Sequence, residues 1–255
     1  MKTTIDGLSI NIQQYGEQGK PKLLFLHGWG ANLKSFNYLY KYFSQNYYIT
    51  GFDFPGFGDS DEPKEPWGVP EYAAFTKKLI DMFELGDAVM LAHSFGGRVL
   101  IYLAGNNLIS PPKMVFMDAA GIRPKRGLDY YLRVYTYKAI KKIASLALVD
   151  KLFKEEMEAI KSKFGSDDYK NSSGIIRQIF VKTVNLDLTG YLSKIQTNTL
   201  LIWGENDDAT PLSDGRLMEK LIPNSGLVVL KNAGHFSFLD KPFETNAIIE
   251  SFLKS

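Results

Sequence analysis

The stretch VMLAHSFGGRVLIYLAG (Val89–Gly105) changes character at its middle. Val89–Ala92 is a continuous apolar run, and Val99–Leu103 is apolar again at helical spacing. Between them stand His93, Ser94, Phe95, Gly96 and Gly97. A short apolar run with no alternation suits a strand buried on both faces, as in a parallel sheet. This one passes directly into a helix through a polar pair and two glycines.

The same unit recurs along the chain. Apolar runs at Lys22–Leu26, Tyr47–Phe52, Ala88–Ala92, Lys113–Met117, Thr199–Trp203 and Leu227–Leu230 each end in a glycine-rich or acidic turn. Asp6-Gly7 lies between two alternating segments and reads as a hairpin turn. Helical spacing is found at Leu33–Phe43, Pro70–Phe83, Phe95–Leu103, Leu212–Leu221 and Phe243–Leu253. Pro211 and Pro242 sit where helices begin, a position proline favours. Repeated strand–helix alternation predicts a three-layer α/β domain.

The alternation stops between Ile122 and Gly190. Leu128, Leu132, Tyr135, Ala139, Ile143 and Leu146 recur at helical spacing, as do Leu152, Phe153, Met157, Ile160 and Phe164. Ile175, Ile176, Ile179 and Phe180 form a third apolar group. This segment reads as a helical insertion between two strands of the sheet. It carries 14 Lys/Arg and 8 Asp/Glu, net +6, and leaves the rest of the chain at −4. Solvated helix faces account for such a balance; a positive lid that attracts an anionic group is the sharper alternative. Tyr130, Tyr131, Tyr135 and Tyr137 lie here and are candidates to line a substrate cleft.

With 255 residues, 45% of them hydrophobic, the chain can build a sizeable core in one domain. A net charge of +2 points to neither nucleic acid nor a membrane surface. The absence of cysteine excludes disulfides, thiolate nucleophiles and cysteine-based zinc sites. The N-terminus lacks the apolar core of a signal peptide, and no apolar run reaches the roughly 18 residues of a membrane span. A soluble, cytoplasmic protein is expected. Nothing in the sequence sets its oligomeric state.

In open α/β sheets ligands bind beyond the carboxyl ends of the strands. The residues just after the strands are His27, Asp53, Ser94, Asp118, Asp207 or Asp208, and His235. A serine, an acid and a histidine are the parts of an activated nucleophile. The hydroxyl is a poor nucleophile at neutral pH, an imidazole can take its proton, and a carboxylate then orients the ring and stabilises the imidazolium.

At this point the chain resembles the α/β-hydrolase fold family, over nearly its whole length. That family places its nucleophile on a sharp strand-to-helix turn, G-x-S-x-G, with the acid and the histidine following in chain order. Here the turn is Ala92-His93-Ser94-Phe95-Gly96, with alanine replacing the first glycine. The segment WGENDDATP resembles the family's acid loop and selects Asp207, with Asp208 and Asp118 as alternatives; NAGHFSFLDKP resembles the histidine loop and selects His235.

The resemblance implies an α/β-hydrolase fold with a mostly parallel central sheet flanked by helices. The core would comprise 1–121 and 191–255, and 122–190 would be an inserted helical cap. It implies Ser94 as nucleophile, His235 as base and Asp207 as acid. The oxyanion would be held by the backbone N–H groups of Trp29, in HGWG, and of Phe95, at a helix N-terminus. Trp29 is also a candidate wall of the acyl pocket. His93 should point away from Ser94 as its strand neighbour, and His27 should brace the HGWG loop.

DFPGFGDSD (Asp53–Asp61) lacks the Gly-Lys-Ser/Thr of a phosphate loop. It resembles a structural turn of the family, with Asp53 and Ser60 as turn-makers. The expected function is that of a carboxylesterase-like serine hydrolase acting on a small acyl substrate, with no cofactor and no metal. The same parts could serve C–C bond, amide or lactone hydrolysis, acyl transfer, or cofactor-free lyase or perhydrolase chemistry. A non-catalytic ligand-binding protein on this scaffold is the remaining alternative.

Overall fold

Each apolar run becomes a strand of one sheet, and the alternating N-terminal segments become a hairpin joined to it. The computed structural model describes residues 1–123 and 172–255. Its strands are β1 (Lys2–Ile5), β2 (Leu8–Tyr15), β3 (Lys22–Leu26), β4 (Tyr48–Phe52), β5 (Val89–His93), β6 (Lys113–Met117), β7 (Asn198–Gly204) and β8 (Ser225–Leu230). They lie in the order β1-β2-β4-β3-β5-β6-β7-β8. β1 and β2 are antiparallel to each other, and β2 is antiparallel to β4; every other pairing is parallel. Asp6 and Gly7 make the hairpin turn with φ of 52° and 77°, which the Asp-Gly pair favours.

The helices among the described residues are α1 (Asn37–Phe43), α2 (Val69–Met82), α3 (Phe95–Gly105), α4 (Gly174–Asn185), α5 (Thr189–Leu192), α6 (Leu212–Leu221), α7 (Ser237–Asp240) and α8 (Pro242–Lys254). The helical pattern over 33–43 divides into a 3₁₀ turn at Leu33–Phe36, where the Asn37 N–H donates to the Lys34 carbonyl three residues back and the Asn32 side chain caps the Lys34 N–H, and α1. Pro242 opens α8, whereas Pro211 is the residue that caps α6.

The absence of alternation in β3, β5 and β6 has the expected cause: both faces are covered. Leu24, Leu26, Met90, Ala92, Phe116 and Trp203 face one core, shared with Tyr72 and Leu79 of α2, Val99 and Leu103 of α3 and Met218 of α6. Leu23, Phe25, Leu91, Val115, Met117 and Ile202 face the other, shared with Leu39 and Phe43 of α1 and Ile249 of α8. Alternate residues of one apolar run thus feed two cores, giving helix, sheet and helix layers.

Strand order reverses at β3. The chain steps from β3 to β4 on one side and then returns to β5 on the other. Crevices at such a switch point bind ligands, and here HGWG leaves β3 next to the turn that leaves β5.

The first two apolar groups of the 122–190 segment, with Tyr130, Tyr131, Tyr135 and Tyr137, lie outside the described residues. The third forms α4. The chain flanking this segment is tied together: the Leu188 N–H donates to the Gly121 carbonyl at 3.0 Å, and Arg98 of α3 donates to the Leu186 carbonyl at 3.0 Å. Among the described residues no helix is long and apolar enough to cross a membrane.

Candidate active site

Ser94 sits between β5 and α3 with φ 47° and ψ −110°. A non-glycine residue in this region is strained and persists only where its surroundings hold it. They do so here. Its N–H donates to the Met117 carbonyl, and its own carbonyl accepts from Gly97 and Ala120. The N–H of Gly96 donates to the His27 carbonyl at 3.0 Å. A Cβ at Gly96 would come within 2.3 Å of the Leu26 carbonyl oxygen, and the three atoms crowding it all belong to Leu26. The tightest contact of this turn is therefore with Leu26 of β3.

Two other strand ends bring their side chains to this turn. The Ser94 hydroxyl lies 2.9 Å from His235 Nε2, and His235 Nδ1 lies 2.9 Å from Asp207 Oδ2. Asp207 is held by its own loop: Oδ1 accepts from the Ala209 and Thr210 N–H groups, and Oδ2 is 2.7 Å from the Thr210 hydroxyl. Burial works against the Asp207 carboxylate, but bonds from His235 and Thr210 and the His235 charge outweigh it, so its pKa lies below the ordinary value. Asp208 next to it is exposed. The acid and histidine loops touch directly, since a Cβ at Gly204 would fall 2.2 Å from the Gly234 carbonyl oxygen.

Asp118 does not reach His235. Its Oδ1 accepts from the Gly204 N–H at 2.7 Å, and its Oδ2 accepts from the Ser237 N–H at 3.1 Å and the Ser237 hydroxyl at 2.5 Å. Burial raises its pKa to about 7, with bonds from Ser237 and Gly204 opposing and the Asp207 charge adding to the rise.

His93 makes no hydrogen bond with the Ser94 hydroxyl among the described residues, but it is not idle. Its Nε2 lies 2.8 Å from the His235 carbonyl oxygen. A carbonyl can only accept, so Nε2 carries the proton. His27 donates from Nδ1 to the Gly28 carbonyl and accepts the Phe54 N–H at Nε2, which braces HGWG from inside. Burial keeps both rings neutral, lowering the His27 pKa to about 4 and that of His93 to about 3. Asp53 is a turn-maker: it accepts from the Leu33 and Asp59 N–H groups and from the Asn11 side chain, while the Ser60 hydroxyl donates to its carbonyl.

The backbone N–H groups of Trp29 and Phe95 have no acceptor among the described residues. The Trp29 ring packs on Phe57, Phe95 and Phe180. It also lines a cavity of about 570 Å³, with Phe57, Ile176, Phe236, Ser173 and Glu62, a volume within the range of small-molecule sites. Among the described residues no group of three or more His, Cys, Asp or Glu side chains could hold a metal ion.

Sequence reasoning missed Thr210, which joins Asp207 to its loop, and Ser237, which ties the histidine loop to Asp118. Both lie inside the loops that carried the resemblance, three residues after Asp207 and two after His235.

A family model described as the alpha/beta hydrolase fold matches residues 21–242, and the chain belongs to that family. It is similar to 3-oxoadipate enol-lactonase 2 of Acinetobacter baylyi, with 24% identity over 258 residues covering 98% of this chain and 95% of the relative. It is also similar to the pimeloyl-(acyl-carrier protein) methyl ester esterase of Legionella pneumophila, 26% identical over 260 residues, covering 97% of this chain and all of the relative. Among solved structures, the enol-lactonase from Burkholderia xenovorans superposes with a TM-score of 0.77 at 18% identity, with both chains covered in full.

Proposed function

We propose that this member of the alpha/beta hydrolase fold family is a serine hydrolase that cleaves a carboxylic ester or related small acyl substrate. The observation that carries the reading is the unbroken line from the Ser94 hydroxyl through His235 to Asp207, with both contacts at 2.9 Å. His235 Nε2 takes the Ser94 proton as Oγ attacks the acyl carbon, while Nδ1–H stays on the Asp207 carboxylate. The lowered Asp207 pKa keeps that carboxylate charged, and it stabilises the imidazolium. The N–H groups of Trp29 and Phe95 receive the oxyanion, since both donate to nothing else described. His235 then protonates the leaving oxygen. A water activated by the same nitrogen releases the acyl group and restores Ser94. No step calls for a cofactor.

Kinship with an enol-lactonase and a methyl ester esterase favours cleavage of an acyl–oxygen bond. The cavity beside Trp29 is assigned to a small-molecule substrate, and the 122–190 insertion to a cap over it, since Ile176 of α4 lines its wall.

The test is labelling by a fluorophosphonate, read by mass spectrometry, together with turnover of short p-nitrophenyl esters. The expected result is an adduct on Ser94, absent in Ser94→Ala and weakened in His235→Ala. A folded wild-type protein with neither adduct nor ester turnover refutes the reading.

A further inference from the structure

We propose that His93 and Asp118 are positioning residues that grip the backbone of residues 235–237 at two points and thereby set the His235 imidazole against Ser94 and Asp207. The proposal rests on the assignment of His235 as the base.

A histidine loop carried by one strand end has no intrinsic reason to hold its ring within 2.9 Å of a hydroxyl carried by another. Here the neighbouring strand ends supply the restraint. His93, at the end of β5, donates Nε2–H to the carbonyl of His235 itself. Its ring lies 4.9 Å from the His235 ring, 4.8 Å from Phe236 and 5.1 Å from Phe238, so it also fills the space beneath the loop. Asp118, at the end of β6, takes both the N–H and the hydroxyl of Ser237 on one oxygen. Its other oxygen holds the Gly204 N–H, where the acid loop leaves β7. One carboxylate therefore ties the histidine loop to the start of the acid loop, and Thr210 continues the connection, with its hydroxyl 3.0 Å from the Asp118 carbonyl and 2.7 Å from Asp207 Oδ2.

The arrangement is not what packing alone would select. His93 Nδ1 is buried with no hydrogen-bond partner among the described residues, a state that buried polar atoms rarely adopt. A purely apolar ring would avoid it and would still fill the site. What it could not do is hold the His235 carbonyl. The same bare nitrogen faces HGWG, where a Cβ at Gly28 would lie 2.7 Å from it. His93 thus stands between the loop that bears Trp29 and the loop that bears His235.

His93→Leu keeps the bulk and removes the donor, and His93→Gln restores an N–H near the place of Nε2. In a folded His93→Leu protein, kcat on a p-nitrophenyl ester and the rate of fluorophosphonate labelling should both fall about 10- to 100-fold, the scale of a small misplacement of reacting groups, with KM unchanged. His93→Gln should recover most of the loss, and Asp118→Asn should show the same split between kcat and KM. A second readout needs no turnover: the strongly downfield proton of the His235–Asp207 hydrogen bond should shift or vanish in His93→Leu and return in His93→Gln. Wild-type rates with an unmoved proton overturn the proposal. So does a loss of activity that His93→Gln does not recover while the proton stays in place. If wild-type protein takes no label at Ser94, the serine-hydrolase reading fails instead, and the proton spectrum still decides the grip. Should His93→Leu not fold, Ser237→Ala removes only the hydroxyl contact to Asp118 and takes the same two measurements.

Discussion

Asp118→Asn changes the charge of a buried group and little of its shape, so its effect on stability should depend on pH. Burial raises the Asp118 pKa from 3.8 to about 7. Between those values the folded chain holds a proton that the unfolded chain has released. The stabilisation is complete below about pH 4 and is lost as pH rises through 7. A shift of that size corresponds to about 4 kcal/mol, of which about 2.5 kcal/mol falls between pH 5 and pH 8. The asparagine has no such dependence. It carries instead a pH-independent cost, because one amide oxygen must replace two carboxylate oxygens that serve Gly204 and Ser237. Leaving one of those N–H groups without an acceptor costs about 1–3 kcal/mol. The stability of wild type relative to the variant should therefore fall by about 2.5 kcal/mol between pH 5 and pH 8. Urea unfolding of both proteins at pH 5, 6, 7 and 8 measures this. Taking the difference at each pH cancels the contributions of His27 and His93. A difference that stays constant across the series refutes the account of Asp118 as a buried, raised carboxyl.

The other strand ends can be probed in the same way. Gly96→Ala drives a methyl group into the Leu26 carbonyl and should cost about 1–3 kcal/mol, read as a lowered urea midpoint; an unchanged midpoint argues against the close approach to β3. Ser94→Gly relieves the strained φ of 47° and should be more stable than Ser94→Ala by about 1 kcal/mol after the added freedom of the unfolded glycine is subtracted; equal melting of the two would show that the turn stores no strain. Thr210→Val keeps the shape but removes the hydroxyl on Asp207, and should lower stability by about 1 kcal/mol and ester turnover several-fold; full retention of both in urea unfolding and p-nitrophenyl assays speaks against that contact. His27 and His93, with pKa values of about 4 and about 3, add stability above pH 6.5 that disappears as pH falls toward those values. Their ring Cε1–H resonances should stay flat from pH 5.5 to 9, and a midpoint inside that window for either one would show that it is not buried neutral.

Most of the fold was legible because parallel strands buried on both faces leave an unmistakable trace. Lys22–Leu26 and Lys113–Met117 begin and end where their apolar runs do. β8 begins two residues before its apolar run, at Ser225, because pairing with β7 extends it where side-chain burial no longer marks it. The one-turn helix α7 left no periodic signal; its Ser237 is held by Asp118 from another strand, and its Asp240 reaches back to the Gly234 N–H. Ser94, Asp207 and His235 could be singled out because each lies in a loop with its own local pattern. The partners of His93 and Asp118 could not. Those contacts join residues 142 and 119 positions apart, and nothing near either residue in the chain names the other.

The hydrogen bond from Leu188 to Gly121 has a consequence for how such a molecule can change over time. The chain at Leu188 thus returns beside Gly121, just beyond the end of β6, and α3 secures this end through Arg98 and the Leu186 carbonyl. When a loop is already closed at its base, lengthening or shortening it costs little in chain entropy. Changes in length between Gly121 and Leu188 should therefore leave the strand ends that carry Ser94, Asp207 and His235 in place. Exchange of one contiguous stretch of gene would then leave the side chains of Ser94, Asp207 and His235 where they are.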